Sequence, residues 1–440
     1  MEDTRAERYA RTLAELIRCE TVSVIGQTGG EKFDRFHRLL QETFPHLFAA
    51  AQLEEFDGSL LLRWPGQTRE MPILLMSHHD VVEASGPWSH PPFAGEMDGG
   101  RLWGRGTLDT KGSLWAMLQA AEELAAEGFV PRCDIWFEST CTEETDGAGA
   151  DRISQELQKR GVRFRMTLDE GGMIMADPLG SGGGGTFAMI GVGEKGCADL
   201  KFVARSSGGH ASTPGKNTPL VRLGKFMAAA ESGSCFKAEL SPVVEEMLRR
   251  MAPTVSGPTG KLMANAGKFR GPLCAAIPRL STTAGAMLKT TLAFTMAQGS
   301  QGRNVLPQEA WVIGNMRYSH HQGREDSIAR IQALAKKYDI ETQVLDGGTP
   351  SHITDYRSPG FRLVEEAVGQ VFPGVIPAPY IMTGASDSRY FSRVSDCCIR
   401  FAPFRIDQQQ LASIHGVDEN INIDTLPGAV DFYQFIIRRA

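Results

Sequence analysis

Strand-like and helix-like segments alternate over residues 59–168, and this alternation constrains the fold more than any other feature of the sequence. Hydrophobic periodicity predicts strands at 59–64, 73–76, 133–139 and 164–168, with helices at 114–126 and 151–160. Such alternation predicts an α/β fold with a mostly parallel sheet that helices cover on both faces. Because ligands of these sheets bind beyond the carboxyl ends of the strands, we expect functional side chains just after them.

The pattern of predicted strands and helices changes beyond the glycine-rich segment 180–185. Strands are predicted at 199–203, 311–318 and 341–345, with helices at 219–230 and 327–338. This pattern predicts a smaller α+β domain at 195–349, inserted into a discontinuous catalytic domain of residues 1–194 and 350–440. The catalytic domain is expected to resume with a helix at 361–372, a strand at 398–401 and a helix at 428–438. Residues 232–308 follow no clear pattern and are expected to hold extra hairpins.

Charge and composition exclude several classes of function. The 440 residues carry a net charge of −6, without a long run of Lys and Arg, so nucleic acid is not an expected partner. No apolar stretch is long enough to cross a membrane, and no secretory signal follows Met1. The eight cysteines form no C-x-x-C pair and are interpreted as reduced thiols of a cytoplasmic protein.

Five candidate metal ligands follow predicted strands or turns: His78, Asp109, Glu144, Glu170 and His415. Asp109 is central among them, because it lies in the glycine-rich turn 103–112, just before a helix expected to begin near Gly112. Imidazole and carboxylate groups suit zinc. Two zinc ions can share one carboxylate, so two histidines and three acidic residues fit a pair of metals bridged by Asp109.

Two further acidic residues predict supporting roles. In strand geometry Asp80 lies on the same face as His78, so its carboxylate can accept the second ring N–H of that histidine. Adjacent Glu143 and Glu144 need different roles, because two carboxylates on one cation would repel each other. We therefore predict Glu144 as a ligand and Glu143 as the general base that takes a proton from a metal-bound water.

Taken together, these motifs resemble the di-zinc metallopeptidase family that includes aminoacylase, carboxypeptidase S, glutamate carboxypeptidase and succinyl-diaminopimelate desuccinylase. The carboxypeptidase S-like branch is the most similar. The resemblance implies two Zn²⁺ per chain, replaceable by Co²⁺ or Mn²⁺. It assigns one zinc to His78, Asp109 and Glu170, and the other to Asp109, Glu144 and His415. Asp169 remains the alternative to Glu170 as the ligand.

The same resemblance implies roles for residues of the inserted segment, whose fold would be a ferredoxin-like lid and dimerisation domain. His210, in Gly-Gly-His, resembles the lid histidine that stabilises the tetrahedral intermediate from the other subunit of a homodimer. Asn304 and Arg317 resemble the substrate-binding asparagine and the arginine that grips a substrate carboxylate. Gly384 matches the glycine-rich substrate loop. The remaining histidines considered receive no metal role: His90, His320, His321 and His352.

The expected function is hydrolysis of a peptide or amide bond next to a free carboxylate, as in a carboxypeptidase or dipeptidase. An N-acyl-amino-acid deacylase with the same site is the first alternative, so the expected partner is a small peptide or an N-acyl amino acid. A catalytically inactive binding relative is the second alternative. That alternative predicts the loss of at least one ligand, and none of the five ligands is missing from the sequence.

Overall fold

The computed structural model describes residues 3–180, 183–232 and 235–440. Its strands, numbered along the chain, are β1 (Gln52–Phe56), β2 (Ser59–Trp64), β3 (Thr68–Met76), β4 (Glu96–Asp98), β5 (Arg101–Trp103), β6 (Cys133–Ser139), β7 (Met166–Ala176), β8 (Thr186–Glu194), β9 (Gly196–Arg205), β10 (Gly209–His210), β11 (Thr291–Gln298), β12 (Val305–Leu306), β13 (Glu309–Tyr318), β14 (Glu341–Val344), β15 (Ile376–Met382), β16 (Cys398–Ile406) and β17 (Asn420–Asn422).

Its α-helices are α1 (Arg5–Arg18), α2 (Glu31–Thr43), α3 (Pro45–Ala50), α4 (Lys111–Ala126), α5 (Ala148–Lys159), α6 (Pro219–Glu231), α7 (Pro242–Met251), α8 (Gly257–Ala264), α9 (Arg270–Leu280), α10 (Thr282–Leu288), α11 (Gly323–Lys336), α12 (Pro359–Val371), α13 (Gln408–Ser413) and α14 (Leu426–Arg439). The strand predicted at 164–168 corresponds to β7, which continues beyond the predicted end to Ala176. Two residues of the glycine-rich segment 180–185, Ser181 and Gly182, lie outside the described residues.

The largest sheet has eight strands in the order β1-β2-β6-β3-β7-β16-β8-β15. Its central neighbours β6–β3, β3–β7 and β7–β16 pair in parallel, as does β8–β15 at one edge. Pairs β1–β2, β2–β6 and β16–β8 are antiparallel. The expected parallel sheet is therefore confirmed at the centre, where the carboxyl ends of β3, β6 and β7 meet at one edge.

Both faces of this sheet are buried, which the continuous apolar runs of its strands require. Side chains of β3 alternate between the two faces: Ile73 and Leu75 join a core formed with α1, α4, α12 and α14, whereas Leu74 and Met76 face α5. A 3₁₀ helix at Asp387–Arg393 covers the same face as α5. The expected two-sided covering by helices is thus present.

A second sheet of four strands has the order β11-β13-β9-β14 and pairs antiparallel throughout. Helices α6 and α11 pack on it around Phe202 and Phe226. Strand, helix, strand, strand, helix and strand follow in chain order, which is the ferredoxin-like arrangement predicted for this region. The apolar positions of β9 and β13 alternate and supply the core of this unit.

The expectation of extra hairpins in residues 232–308 is wrong for residues 242–288, which form the helices α7–α10 and two short 3₁₀ helices; β11 follows them and pairs with β13. In α7, Val243, Met247 and Met251 recur at helical spacing and are buried. Met247 and Met251 belong with Met189 of β8 to one hydrophobic cluster, whereas Val243 joins the main core of the large sheet. Part of the segment predicted as inserted therefore packs against the large sheet.

All eight cysteines are free thiols. Among the described residues, no helix combines the length and the apolar character that crossing a bilayer requires.

Candidate metal centre

Five predicted ligands meet where the central strands of the large sheet end. His78 lies two residues after the end of β3, Glu144 follows β6, and Glu170 lies within β7 rather than after it. Asp109 precedes α4, and His415 follows α13 from the far end of the chain. The carboxyl ends of β3 and β6, and the part of β7 just beyond the end of β3, bring His78, Glu144 and Glu170 to one place.

The Asp109 carboxylate lies between two imidazoles. Its Oδ1 is 3.1 Å from Nε2 of His78, and its Oδ2 is 3.0 Å from Nε2 of His415. The same His415 nitrogen is 3.0 Å from Oε2 of Glu144. Ligand atoms of His78, Asp109 and Glu144 all lie within 4.8 Å of one another. The Asp109 carboxylate is thus shared between the two histidines, and His78, Asp109 and Glu144 could hold a metal ion.

Asp80 contacts both the histidine and the glutamate pair. The backbone carbonyl oxygen of Asp80 is 2.9 Å from Nδ1 of His78, and its carboxylate is 3.4 Å from the same nitrogen. That carboxylate also accepts the backbone N–H groups of Glu143 and Glu144, at 3.3 and 3.1 Å. The nearest acceptor for the ring nitrogen of His78 is therefore the backbone carbonyl of Asp80 rather than the predicted carboxylate, which instead fixes the loop that carries the two glutamates.

The turn before α4 depends on its glycines. Gly106 has a φ of +90°, which side chains rarely adopt. A Cβ on Gly112 would lie only 2.2 Å from the carbonyl oxygen of Thr107. The tight turn that places Asp109 at the sheet edge is thus specified by the sequence itself.

Asp169 and Glu170 differ in their contacts. The carboxylate of Asp169 is buried and accepts the backbone N–H groups of Glu170 and Ser388, at 2.9 and 2.7 Å. Glu170 lines the cleft that contains Asp109. These contacts favour Glu170 as the ligand and give Asp169 a role in fixing the backbone beside it.

The acidic residues of the site lie close enough for their negative charges to repel each other. Burial, and then the charge of Asp109, raise the pKa of Glu144, and the same causes raise that of Glu170 well above its usual range. Burial likewise raises the pKa of Glu143. For Asp109, hydrogen bonds from His415 and His78 outweigh burial and lower the pKa. Hydrogen bonds to Asp109 and Glu144 raise the pKa of His415 to about 10.

This donor set fits divalent cations. Oε1 of Glu144 is buried and has no hydrogen-bond partner in the described part of the chain, so one carboxylate oxygen is left for a ligand. Burial and the charge of Asp109 raise the pKa of both Glu144 and Glu170, and a metal ion would supply positive charge among these carboxylates. Imidazole nitrogen and carboxylate oxygen are the ligands that zinc accepts.

A cleft of about 1010 Å³ opens above these residues, between the large sheet and the ferredoxin-like unit. Arg317, from β13, and Gly384, after β15, both line it, as predicted for substrate-binding groups. Arg317 donates its Nε–H to Oδ1 of Asn315 at 2.9 Å. His352 also lines the cleft, although no metal role is predicted for it.

His210 and Asn304 lie together, but the structure does not bring them into this cleft. His210 pairs with Val305 in the small sheet of β10 and β12, and the backbone N–H of Ala211 donates to the carbonyl oxygen of Asn304 at 2.9 Å. Both His210 and Asn304 are exposed. Within one chain these two residues therefore lie apart from the other predicted site residues.

Several residues of the site escaped sequence reasoning. Lys195 and Arg389 line the cleft, and burial lowers the pKa of Lys195 to about 7. Glu419 is buried and accepts the backbone N–H of Asp109 at 3.1 Å. For Glu419 one signal was available, since it stands four positions after His415.

Histidines and carboxylates gathered at the carboxyl edge of a largely parallel sheet, beneath a cleft bordered by a second unit, are the arrangement expected of a metal-dependent hydrolase. The family model of peptidase family M20/M25/M40 matches residues 74–439. The chain belongs to this family, and it is a peptidase or amidohydrolase. Metallopeptidases of this family use divalent metal ions, generally zinc.

Curated relatives and solved structures agree with this assignment. A probable carboxypeptidase S-like 2 of Dictyostelium discoideum is 30% identical over 417 residues, covering 92% of this chain and 79% of the relative. The human N-fatty-acyl-amino acid synthase/hydrolase PM20D1 is 31% identical over 408 residues, covering 92% and 78%. The M20 family metallo-carboxypeptidase Sso-CP2 of Sulfolobus solfataricus shares the fold, with a TM-score of 0.73, 17% identity and coverage of 100% and 99%.

Proposed function

We propose that this enzyme is zinc-dependent and hydrolyses a peptide or amide bond next to a free carboxylate, in the manner of a carboxypeptidase or dipeptidase. The observation that carries the proposal is the convergence of His78, His415 and Glu144 on Asp109, in a cleft that Arg317 also lines. The similarity to a probable carboxypeptidase S-like protein supports the same reaction class.

One zinc would be held by His78, Asp109 and Glu170, and the other by Asp109, Glu144 and His415. When bound, the metals would supply Lewis acidity and lower the pKa of a coordinated water to about 7. Every other part of the reaction falls to side chains of this chain.

Glu143 is proposed to move the proton. Its Oε2 lies 4.0 Å from Nε2 of His78, and its neighbour Glu144 is the proposed ligand. In this proposal, Glu143 accepts a proton from the attacking water and delivers it to the leaving amine. Asp80 holds the backbone N–H of Glu143 and so fixes the position of the base.

Arg317 is proposed to bind the carboxylate of the substrate. A planar guanidinium matches a carboxylate with two parallel hydrogen bonds. Because the Nε–H of Arg317 is already held by Asn315, the plane of the guanidinium is fixed before a substrate arrives. Gly384, exposed at the cleft, would let the substrate approach the backbone closely.

A substrate panel tests this function. Dipeptides with a free C-terminal carboxylate should be cleaved by the zinc-loaded enzyme, and their amidated counterparts should show a kcat/KM lower by about 10-fold or more, through the loss of a charge-assisted contact. Arg317→Gln should remove this preference. Equal cleavage of amidated and free dipeptides by the wild-type enzyme would contradict the assigned role of Arg317.

Deacylation of an N-acyl amino acid is the second candidate, and the name of the human relative favours it. Apolar side chains that line the cleft offer a surface for an acyl chain: Leu108, Met173, Tyr380, Met382 and Ile414. N-acyl amino acids of increasing chain length belong in the same panel. A kcat/KM that rises with chain length and exceeds that of every dipeptide would favour deacylation.

We further propose a homodimer in which His210 and Asn304 act on the site of the partner chain. Their exposure and their separation from the cleft within one chain support this arrangement. An imidazole that donates to a developing oxyanion contributes on the order of 2.7–4 kcal/mol, if it behaves like other oxyanion donors.

Subunit mixing tests this dimer. Inactive Glu143→Ala chains mixed with inactive His210→Ala chains should regain activity, because the His210→Ala chain keeps an intact metal centre and receives its histidine from the partner. A mixture of Glu143→Ala with Glu170→Ala is the matched control and should stay inactive, since one chain lacks the general base and the other lacks a metal ligand of the same site. If proven mixed dimers of the first pair stay inactive, the trans arrangement is wrong.

A further inference from the structure

The buried carboxylate of Glu419 is the acceptor for much of the turn that carries Asp109. Its Oε1 accepts the backbone N–H groups of Leu108 and Asp109, at 2.8 and 3.1 Å. The backbone N–H of Gly106 lies 3.1 Å from both carboxylate oxygens. Glu419 has no exposed surface, so water does not compete for these hydrogen bonds.

Arg105 completes the contact between the two segments. Its Nη1–H donates to Oε2 of Glu419 at 2.6 Å, and its Nη2–H donates to the carbonyl oxygen of Gly416 at 2.7 Å. The backbone N–H of Gly104 donates to the carbonyl oxygen of Glu419 at 2.8 Å. The buried guanidinium therefore neutralises Glu419 and, through Gly416, holds the residue directly after His415.

This network bears on two proposed ligands that are distant in sequence. Asp109 and His415 come from opposite ends of the chain, and their side chains must meet within hydrogen-bond distance. His415 also has a φ of +60°, a conformation that a non-glycine residue keeps only when its surroundings hold it there. Glu419 and Arg105 provide that constraint, because they connect the Asp109 turn to the His415 segment.

We propose that Glu419 is a positioning residue of the metal centre, which sets the register between Asp109 and His415 and thereby the affinity of the site for zinc. The proposal rests on the proposed zinc centre, whose ligands Glu419 does not join. Outer-sphere partners of this kind change metal affinity by about 10–100-fold when they are lost. Glu419→Gln keeps the size of the side chain but replaces one acceptor oxygen with an NH₂ group that faces backbone N–H donors.

Asp134 provides a matched control. It is also buried, and its carboxylate accepts Nε–H of Arg63 at 2.7 Å and the backbone N–H of Gly66 at 2.8 Å. It lies near the start of β6, at the opposite end of the strand from the metal centre. Asp134→Asn therefore breaks a comparable buried pair without touching the proposed ligands.

The experiment measures zinc affinity by competition with a chromophoric chelator, and thermal unfolding of the metal-free and zinc-loaded proteins. Glu419→Gln should bind zinc about 10–100-fold more weakly and show a smaller zinc-induced rise in Tm. Asp134→Asn should lower both Tm values together and keep the wild-type zinc affinity. A folded Glu419→Gln protein with wild-type zinc affinity would overturn the proposal.

Two further measurements keep the test decisive. If Glu419→Gln does not fold, the variant Arg105→Lys is measured instead, because lysine keeps the positive charge but cannot reach Glu419 and Gly416 together. Arg105→Lys should also weaken zinc binding. An unchanged zinc affinity of this variant would refute the positioning role of Glu419. The wild-type protein separates this proposal from the proposed function. If the wild-type protein binds no zinc, the metal centre itself is wrong, whereas normal zinc binding by both wild type and variant rejects only the role of Glu419.

Discussion

Replacing Asp109 with alanine should empty both metal positions and abolish hydrolysis. The two oxygens of this carboxylate face different imidazoles, those of His78 and His415, so both proposed metals lose a ligand at once. Metal affinity should therefore fall by more than the ~10–100-fold that is typical for losing an outer-sphere partner. The measurement is elemental analysis of zinc-reconstituted protein after dialysis, with about two ions expected for the wild type and close to none for the variant.

Glu170→Ala is the control for this result. Glu170 is proposed to serve only one metal, so its loss should leave about one ion per chain. Circular dichroism of both variants should match that of the wild type, because Asp109 and Glu170 line a cleft rather than the core. An Asp109→Ala protein that keeps two zinc ions would show that Asp109 does not bridge them.

The parallel centre of the fold could be predicted from the sequence because its strands are buried on both faces. Apolar runs such as Ile73–Met76 at the end of β3 and Ile135–Phe137 within β6 mark these strands, and β6 has the predicted bounds. If neighbouring strands are predicted to be parallel, the side chains that follow those strands are expected to lie close together, because the strands end at the same edge of the sheet. His78 and Glu144 could thus be placed near each other without coordinates.

The helices within residues 232–308 could not be predicted in this way. Their apolar positions serve a contact with Met189 and other residues of the large sheet, and sequence periodicity does not reveal the partner of a short helix. Pro278 and several glycines interrupt the segment further and resemble turn signals. In this segment, tertiary packing determines the secondary structure more than the local sequence does.

In the candidate site, too, features set by local sequence could be predicted, whereas those set by contacts distant in sequence could not. The glycines of the turn that carries Asp109 determine its conformation, so this conformation can be predicted from the local sequence. The acceptor for that turn, Glu419, lies 310 residues away, and its place four positions after His415 does not reveal which backbone groups it contacts. The choice between Asp169 and Glu170 also depended on a distant donor, the backbone N–H of Ser388, which occupies one oxygen of Asp169.

Glu143→Gln should keep both metals and lose most of its turnover, whereas the neighbouring Glu144→Gln should lose metal. Glutamine preserves the size of the side chain at position 143 but cannot accept a proton as the base does. General bases contribute about 10²–10⁴-fold, so kcat should fall by a factor in that range while KM changes little. Zinc content and steady-state kinetics of the two variants, measured side by side, check this prediction.

The pair of variants separates the two roles because the residues differ in their contacts. Oε2 of Glu144 lies 3.0 Å from Nε2 of His415, and its buried Oε1 is left for a ligand, whereas Glu143 lies 4.0 Å from His78. Loss of a ligand must change zinc content, but loss of a base need not. If Glu143→Gln loses zinc while Glu144→Gln keeps it, the two assignments must be exchanged, and the proton would then be moved by Glu144.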